Sequence, residues 1–251
     1  MTDARAIPAA GLCLALVTAF TTGATGAETM TREQIEQRLA AGPADLSNLE
    51  APGADLKGID FAGASLFGAN LKGADLSNAK LARCNLNVAI LRDAVLVNAD
   101  VRDAKLFSSV LANANARGAD MRGAQLMGNF ERANLEGANL ERIKGGADMR
   151  NQPMGLIRLV LTGAKLKGAK LAGADLSRAD LSHADLREAD LSNVDLTKAK
   201  LIGADFTGAR LTNATLTGAE VHDAIFKGVV DMTTVRGLDE VEGRDAAIFD
   251  Q

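Results

Sequence analysis

The chain of 251 residues has no Trp and no Tyr, and its eight Phe are its only aromatics. Ordinary globular cores draw much of their volume from aromatic rings, so this interior has to be built from something narrower. Histidine and cysteine are equally scarce, at two each. No His-Glu-x-x-His, Gly-x-Ser-x-Gly or phosphate-binding Gly loop occurs, which removes the common zinc-protease, serine-hydrolase and nucleotide-binding signatures. The Gly-rich calcium-binding nonapeptide of one β-helix class is missing too. Cys13 lies in an N-terminal apolar run, which leaves Cys84 with no intrachain disulfide partner once that run is removed. The net charge is −4, so no broad nucleic-acid-binding surface is expected. The composition points to no enzyme, no cofactor, no metal and no small-molecule substrate.

What the chain does have is a period of five. From Leu161 to Phe226 every fifth residue is large and apolar, and two residues before nearly every one sits a small residue, usually Ala. Five is neither the 3.6 of a helix nor the 2 of a free strand. It fits a short extended piece followed by a corner. In Ala184-Asp185-Leu186-Arg187-Glu188 the Ala and Leu lie on one side of the backbone and the Asp on the other. The last two residues of a unit are often Gly, Asn, Ser, Lys or Arg, which suits a turn. Repetition winds the chain around an axis lined with Leu and Ala, a solenoid in which each coil touches its neighbours. Stability then comes from many Leu burials of ~1.5–3 kcal/mol each before entropy is subtracted.

The units Ala174 to Arg178 (Ala-Asp-Leu-Ser-Arg), Ala179 to His183 (Ala-Asp-Leu-Ser-His) and Ala133 to Gly137 (Ala-Asn-Leu-Glu-Gly) resemble the pentapeptide-repeat family. The resemblance covers roughly residues 44 to 230. It implies an all-β solenoid, a right-handed quadrilateral β-helix with four units per coil. Residues twenty apart should then stack. Outward positions on that spacing read Lys170, Asp190, Arg210 and, elsewhere, Asp180, Lys200, Glu220, with Asp60, Lys80, Asp100 in the first half. Opposite charges alternate where like charges would repel. Asp175 over Asp195 breaks the pattern, and Phe206 over Phe226 predicts stacked rings.

Taken in order, residues 1–27 read as a secretory signal: Arg5, an apolar run from Ala9 to Phe20, and Thr25-Gly26-Ala27 before Glu28. That run is too short to span a membrane comfortably, so a membrane is expected only if the signal stays uncleaved. Residues 28–43 read as an N-terminal capping helix, with Thr31 as N-cap, Gln34 completing a capping box and Gly42-Pro43 as the stop. A first repeat block follows over 44–140, an irregular loop over 141–160, a second block over 161–230 and a C-terminal cap over 231–251. Phe130, Leu135 and Leu140 keep the five-spacing one residue early. Cys84 falls on a small inward position and reads as a buried structural thiol. His183 and His222 fall at corners about two coils apart, roughly 10 Å, too far to share a metal ion. The outward acids Asp175, Asp180, Asp185, Asp190 and Asp195 diverge over four faces and read as solubilising units.

One surface stands out. Ile90 and Val110 take outward positions usually held by Asp or Asn, and they are twenty apart. Phe107 and Met127 stack at the neighbouring corner, with Phe67 on the same column. Met149, Met154 and Ile157 make the loop apolar enough to pack on something. A contiguous exposed apolar patch marks a contact. Two readings fit: the segment beyond residue 127 folds back over the patch, or the patch is a dimer or partner interface. The function this supports is a non-catalytic, exported, periplasmic scaffold or protein-binding module, acting on a protein partner or on itself. The resemblance implies an alternative. Some family members mimic DNA and protect DNA gyrase from quinolones, as cytoplasmic dimers with acidic faces. The signal and the alternating charge ladders argue against it.

Overall fold

The computed structural model describes residues 29–42, 44–147 and 158–250. Nearly every unit buries its central Leu, Phe, Val or Met, replaced by Ala at 51 and 116, and most bury the small residue two before it as well, in one apolar column from Leu46 to Phe226. The corners follow from two local hydrogen bonds. The N–H of the next small residue donates to the carbonyl of the central one, as from Ala184 to Leu181 at 3.0 Å and from Ala189 to Leu186 at 3.1 Å. That closes a four-residue turn whose third residue has positive φ, the requirement of a type II turn. Gly163 (φ 64) meets it without a Cβ, and His183 (φ 59) and Glu188 (φ 59) meet it with one. The second bond uses the outward carboxylate. The Ser182 N–H donates to Asp180 Oδ1 at 3.1 Å and the Ser192 N–H to Asp190 Oδ1 at 3.0 Å. The outward acids are therefore corner-forming groups that satisfy a backbone donor, rather than merely solubilising ones.

Successive coils pair in parallel along four faces. On face 1 the outward residues run from Asp45 to Arg236, on face 2 from Glu50 to Glu242, on face 3 from Asp55 to Ile248 and on face 4 from Asp60 to Val230. Most rungs are single bridges, because a unit has only three extended residues between corners. Among the described residues, regular strands occur only where a corner straightens or the end closes: β1 (Lys105–Val110) beside β2 (Gln125–Asn129), and β3 (Ile225–Phe226) beside β4 (Ile248–Phe249). The charge ladders expected on the twenty-residue spacing are present as bridges, including Asp60–Lys80, Lys170–Asp190 and Asp180–Lys200. Where Asp100 stacks on Asp120, arginines intervene, whereas the carboxylates of Asp175 over Asp195 have only Ser177 and Thr197 as hydrogen-bond partners among the described residues. Arg102 holds Asp100 at 2.6 Å and reaches Asp120 at 3.8 Å, while Arg122 holds Asp120 at 2.6 Å. Hydrogen bonds from these guanidinium groups keep both carboxyls below the usual carboxylate range.

Two irregularities sit close together. Asn115 pairs with Asn134, nineteen residues on (134 − 115), because one residue is missing at the corner around Met127-Gly128-Asn129. Asn129 then pairs with Val160, thirty-one residues on (160 − 129), so eleven residues are inserted into that coil (31 − 20). The regular winding continues through Lys144, which pairs with Asp175, and has resumed at Val160. This corrects the expected 141–160 loop to a shorter interruption. Ile143 occupies the small inward position and is buried, so the pattern continues there without an Ala. Gly145 takes a central inward position with no side chain. Leu159 fills the space, its Cδ2 2.7 Å from where a Gly145 Cβ would lie.

The ends are closed differently. At the N-terminus α1 (Arg32–Ala40) carries the Thr31–Gln34 capping box and seats Ile35, fully buried, on the first coil. Arg32 donates to the otherwise open carbonyls of Asp55 (3.3 Å) and Lys57 (3.0 Å). At the C-terminus the coil lengthens, with Thr215 pairing to Arg236, Glu220 to Glu242 and Ile225 to Ile248. The Phe206 and Phe226 rings stack at 4.8 Å and Phe226 and Phe249 at 5.1 Å, with the Arg244 guanidinium 5.9 Å from the Phe249 ring centre. Residues 1–28, which include the expected signal, lie outside the described residues.

Candidate interaction surface

The surface forms where face 1 turns into face 2. At the first position of that corner the chain stacks Phe67, Asn87, Phe107 and Met127. The Gly68 N–H donates to Asn87 O at 2.9 Å, the Val88 N–H to Phe107 O at 2.8 Å, and Phe107 pairs with Met127 across β1 and β2. Beside it, face 2 carries Asn70, Ile90, Val110 and Asn129 on consecutive rungs. Phe67 (43%), Ile90 (41%) and Phe107 (41%) are exposed. Val110 and Met127 are half-buried instead, because both lie along the β1–β2 pairing where the missing residue draws the coils together. Asn87 separates the two Phe rings, and its Oδ1 accepts the Phe107 N–H at 2.9 Å. Met149, Met154 and Ile157 lie outside the described residues.

Sequence reasoning missed Val88, which is 48% exposed, more than any other large apolar residue of the described chain. It sits at the third turn position with φ 62, a backbone region that β-branched residues avoid. Gly or Asn usually holds that position here, so a Val there is the signal that was available. Its apolar side chain extends the patch between Ile90 and Phe107. A depression of about 340 Å3 adjoins the patch, lined by Ser108, Ser109, Val110, Gly128, Asn129, Arg158 and Val160. The eleven-residue insertion leaves and re-enters the coil at this same corner, one rung beyond Met127.

Chemical groups elsewhere are dispersed. Among the described residues no group of three His, Cys, Asp or Glu side chains could hold a metal ion. His183 and His222 are both exposed. Asp175, Asp180, Asp185, Asp190 and Asp195 fall in turn on faces 1, 2, 3, 4 and 1. Cys84 is buried, donates to Phe61 O at 2.9 Å, and has its thiol pushed up to about 11 by burial. A second cleft, of about 710 Å3, lies between α1 and face 4 of the first coil, lined by Arg32, Glu36, Leu39 and Asp60 among others. No helix among the described residues is long and apolar enough to cross a membrane.

No curated protein sequence matches this chain. Among solved structures it is similar to HetL, a pentapeptide repeat protein involved in heterocyst differentiation regulation from the cyanobacterium Nostoc sp. strain PCC 7120. The identity is 27%, over 87% of this chain and 99% of that one, with a TM-score of 0.45. It is similar to QnrB1, a plasmid-mediated fluoroquinolone resistance protein, at 22% identity over 81% of each chain and a TM-score of 0.42. Rfr23, a pentapeptide repeat protein from the cyanobacterium Cyanothece 51142, is 34% identical over 48% of this chain and 90% of its own, with a TM-score of 0.33. The pentapeptide-repeat profile matches eight copies, over residues 44–77, 69–106, 160–197 and 189–228. More than half of the sequence thus carries the repeat, wound here as four ladders of parallel bridges, and the chain belongs to the pentapeptide-repeat family, with its right-handed quadrilateral β-helix.

Proposed function

We propose that the chain is an exported, non-catalytic binding scaffold that works in the bacterial periplasm through the corner between faces 1 and 2. One observation carries this reading. Phe67, Val88, Ile90 and Phe107 expose apolar side chains together, on a solenoid whose outward positions are otherwise mostly charged or polar. A folded protein keeps such a patch at a cost in solubility unless something covers it. Export rests on the signal-like residues 1–27. The alternative, DNA mimicry of the gyrase-protecting kind, needs a continuous acidic stripe. Face 4 instead interleaves Lys80, Lys170 and Arg210 with its aspartates, so the charge pattern favours the scaffold. Fractionation of the native host, with the N-terminus of the recovered protein determined, tests the compartment. A start near Glu28 in the exported fraction is expected. An intact Met1 in the cytoplasm overturns export and returns gyrase protection to first place.

A further inference from the structure

We infer that the occupant of this surface is a second copy of the chain, docked face 2 to face 2 with the two solenoids antiparallel, about a two-fold axis between Ile90 and Val110. The inference rests on the reading of this corner as a binding surface. A two-fold lying in the contact plane and crossing the solenoid keeps lateral position and inverts height. Residues equally far above and below the axis therefore meet across the interface. The stacking order on face 2 is Asn70, Ile90, Val110, Asn129. Ile90 of one copy then faces Val110 of the other, and Asn70 faces Asn129. At the apolar corner the order is Phe67, Asn87, Phe107, Met127. Phe67 then faces Met127, a favourable ring–thioether contact. At the opposite corner of face 2 the order is Lys72, Arg92, Ala112, Glu131, as set by the hydrogen bonds from Gly73 to Arg92, Asp93 to Ala112 and Asn113 to Glu131. Lys72 then faces Glu131, and symmetry repeats that pair.

Over its four central rungs, Asn70 to Asn129, the surface is thus complementary to itself in apolar content, in polar rim and in charge, with Asn87 facing Phe107 at the corner; only at the outermost rungs does Glu50 face Val160, at the solvent-exposed edge of the contact. No like charges meet, since Arg92 faces Ala112 and Asp93 faces Asn113. The parallel arrangement fails the same comparison. It keeps height and exchanges the two corners, so Phe67 would lie on Lys72 and Met127 on Glu131, leaving charges against apolar groups. From Glu50 to Val160 the face has six rungs, five steps of ~4.8 Å, so it is roughly 24 Å tall. Such a face covers on the order of 1,000 Å2 counting both copies, the low end for a specific interface, which supports a dissociation constant of roughly micromolar size.

Sedimentation equilibrium on the full mature chain, from Glu28 onward, at up to about 200 µM tests this well above the expected dissociation constant. A monomer–dimer equilibrium is expected. Ile90→Asp and Phe107→Asp should each weaken it about tenfold or more. Lys72→Glu and Glu131→Lys should each weaken it several-fold, and the two together should restore the wild-type constant. That rescue is specific, because only the antiparallel register brings positions 72 and 131 together. Circular dichroism on each variant confirms that these surface changes leave the coil folded. A wild-type chain that stays monomeric, a dimer indifferent to Ile90→Asp, or a charge reversal that fails to rescue overturns the inference. An apolar fluorescent dye separates the two readings. A monomer that binds dye, and loses it with Ile90→Asp, overturns the dimer but keeps the binding surface. A monomer that binds no dye has the patch covered by its own chain, and overturns both.

Discussion

Gly128→Ala is the substitution most sensitive to how the missing residue is absorbed. Gly128 does not have positive φ, so backbone strain is not the issue there. A methyl at this position would lie 3.1 Å from Ser109 N and 3.2 Å from its carbonyl carbon, and closer still to its carbonyl oxygen. All three are backbone atoms, and that backbone is pinned. The Val110 N–H donates to Ala89 O at 3.0 Å, the Leu111 N–H to Asn129 O at 2.7 Å, and the Ser109 Oγ to Leu106 O at 2.8 Å. Relief therefore requires separating β1 from β2. Overpacking against a rigid neighbour costs ~1–3 kcal/mol and occasionally more, and the upper end, about 3 kcal/mol, applies where the neighbour is backbone. Gly137→Ala is the control. Its φ is 62 and nothing lies within 4 Å of its added methyl. It should cost about 1 kcal/mol, the left-handed strain of ~1–2 kcal/mol less the loss of unfolded-state freedom. Urea unfolding of both variants measures the difference, and heating should separate their midpoints by several degrees. Ser109→Gly should not rescue Gly128→Ala, because the clash is with main chain. Equal costs for the two alanines, or rescue by Ser109→Gly, would refute the packing described for this corner.

Four further outcomes follow from the same geometry. Val88→Asn should raise stability by about 1 kcal/mol, since Asn tolerates positive φ and Val does not, while weakening self-association; a lower unfolding midpoint would count against the strain at φ 62. Cys84 should resist a thiol reagent at pH 8 in the folded chain and react fully in urea, because burial holds its thiol near 11; rapid stoichiometric labelling of native protein would contradict the burial. The carboxyls of Asp100 and Asp120 titrate below their ordinary range when folded, so their contribution is complete above about pH 4 and disappears as pH falls through the folded values. Arg102→Ala should lower stability at neutral pH only slightly, given its exposure, and flatten the acid limb of an unfolding-versus-pH curve. Phe226→Leu removes the middle ring of three and should cost about 1–3 kcal/mol, with faster hydrogen exchange at Ile248, whose N–H donates to Ala224 O at 2.8 Å.

Most of the candidate surface was legible because the register was. Ile90, Val110, Phe107 and Met127 are anomalies only against a known five-residue pattern, and stacking at twenty residues places them side by side. Val88 escaped because a corner residue was read for its turn propensity and not for what its side chain would expose. The half-burial of Val110 and Met127 escaped for another reason. It depends on β1 and β2 drawing together around Gly128, and nothing local to either residue reports that.

By itself the sequence determined the inward set, the four faces and the charge ladders, because in a solenoid each residue's neighbours lie at one fixed offset along the chain. The Thr31–Gln34 cap was equally local. Only the tertiary structure decided what happens where that offset changes. One residue lost near Gly128 and eleven gained before Val160 shift the pairings that span them, to nineteen and then thirty-one, before the spacing returns to twenty at Val160. Which groups fill the resulting gaps, Leu159 over Gly145 and the Ser109 backbone against Gly128, depends on packing across coils. Chain spacing says where such a break falls, and contact between coils says how it is closed.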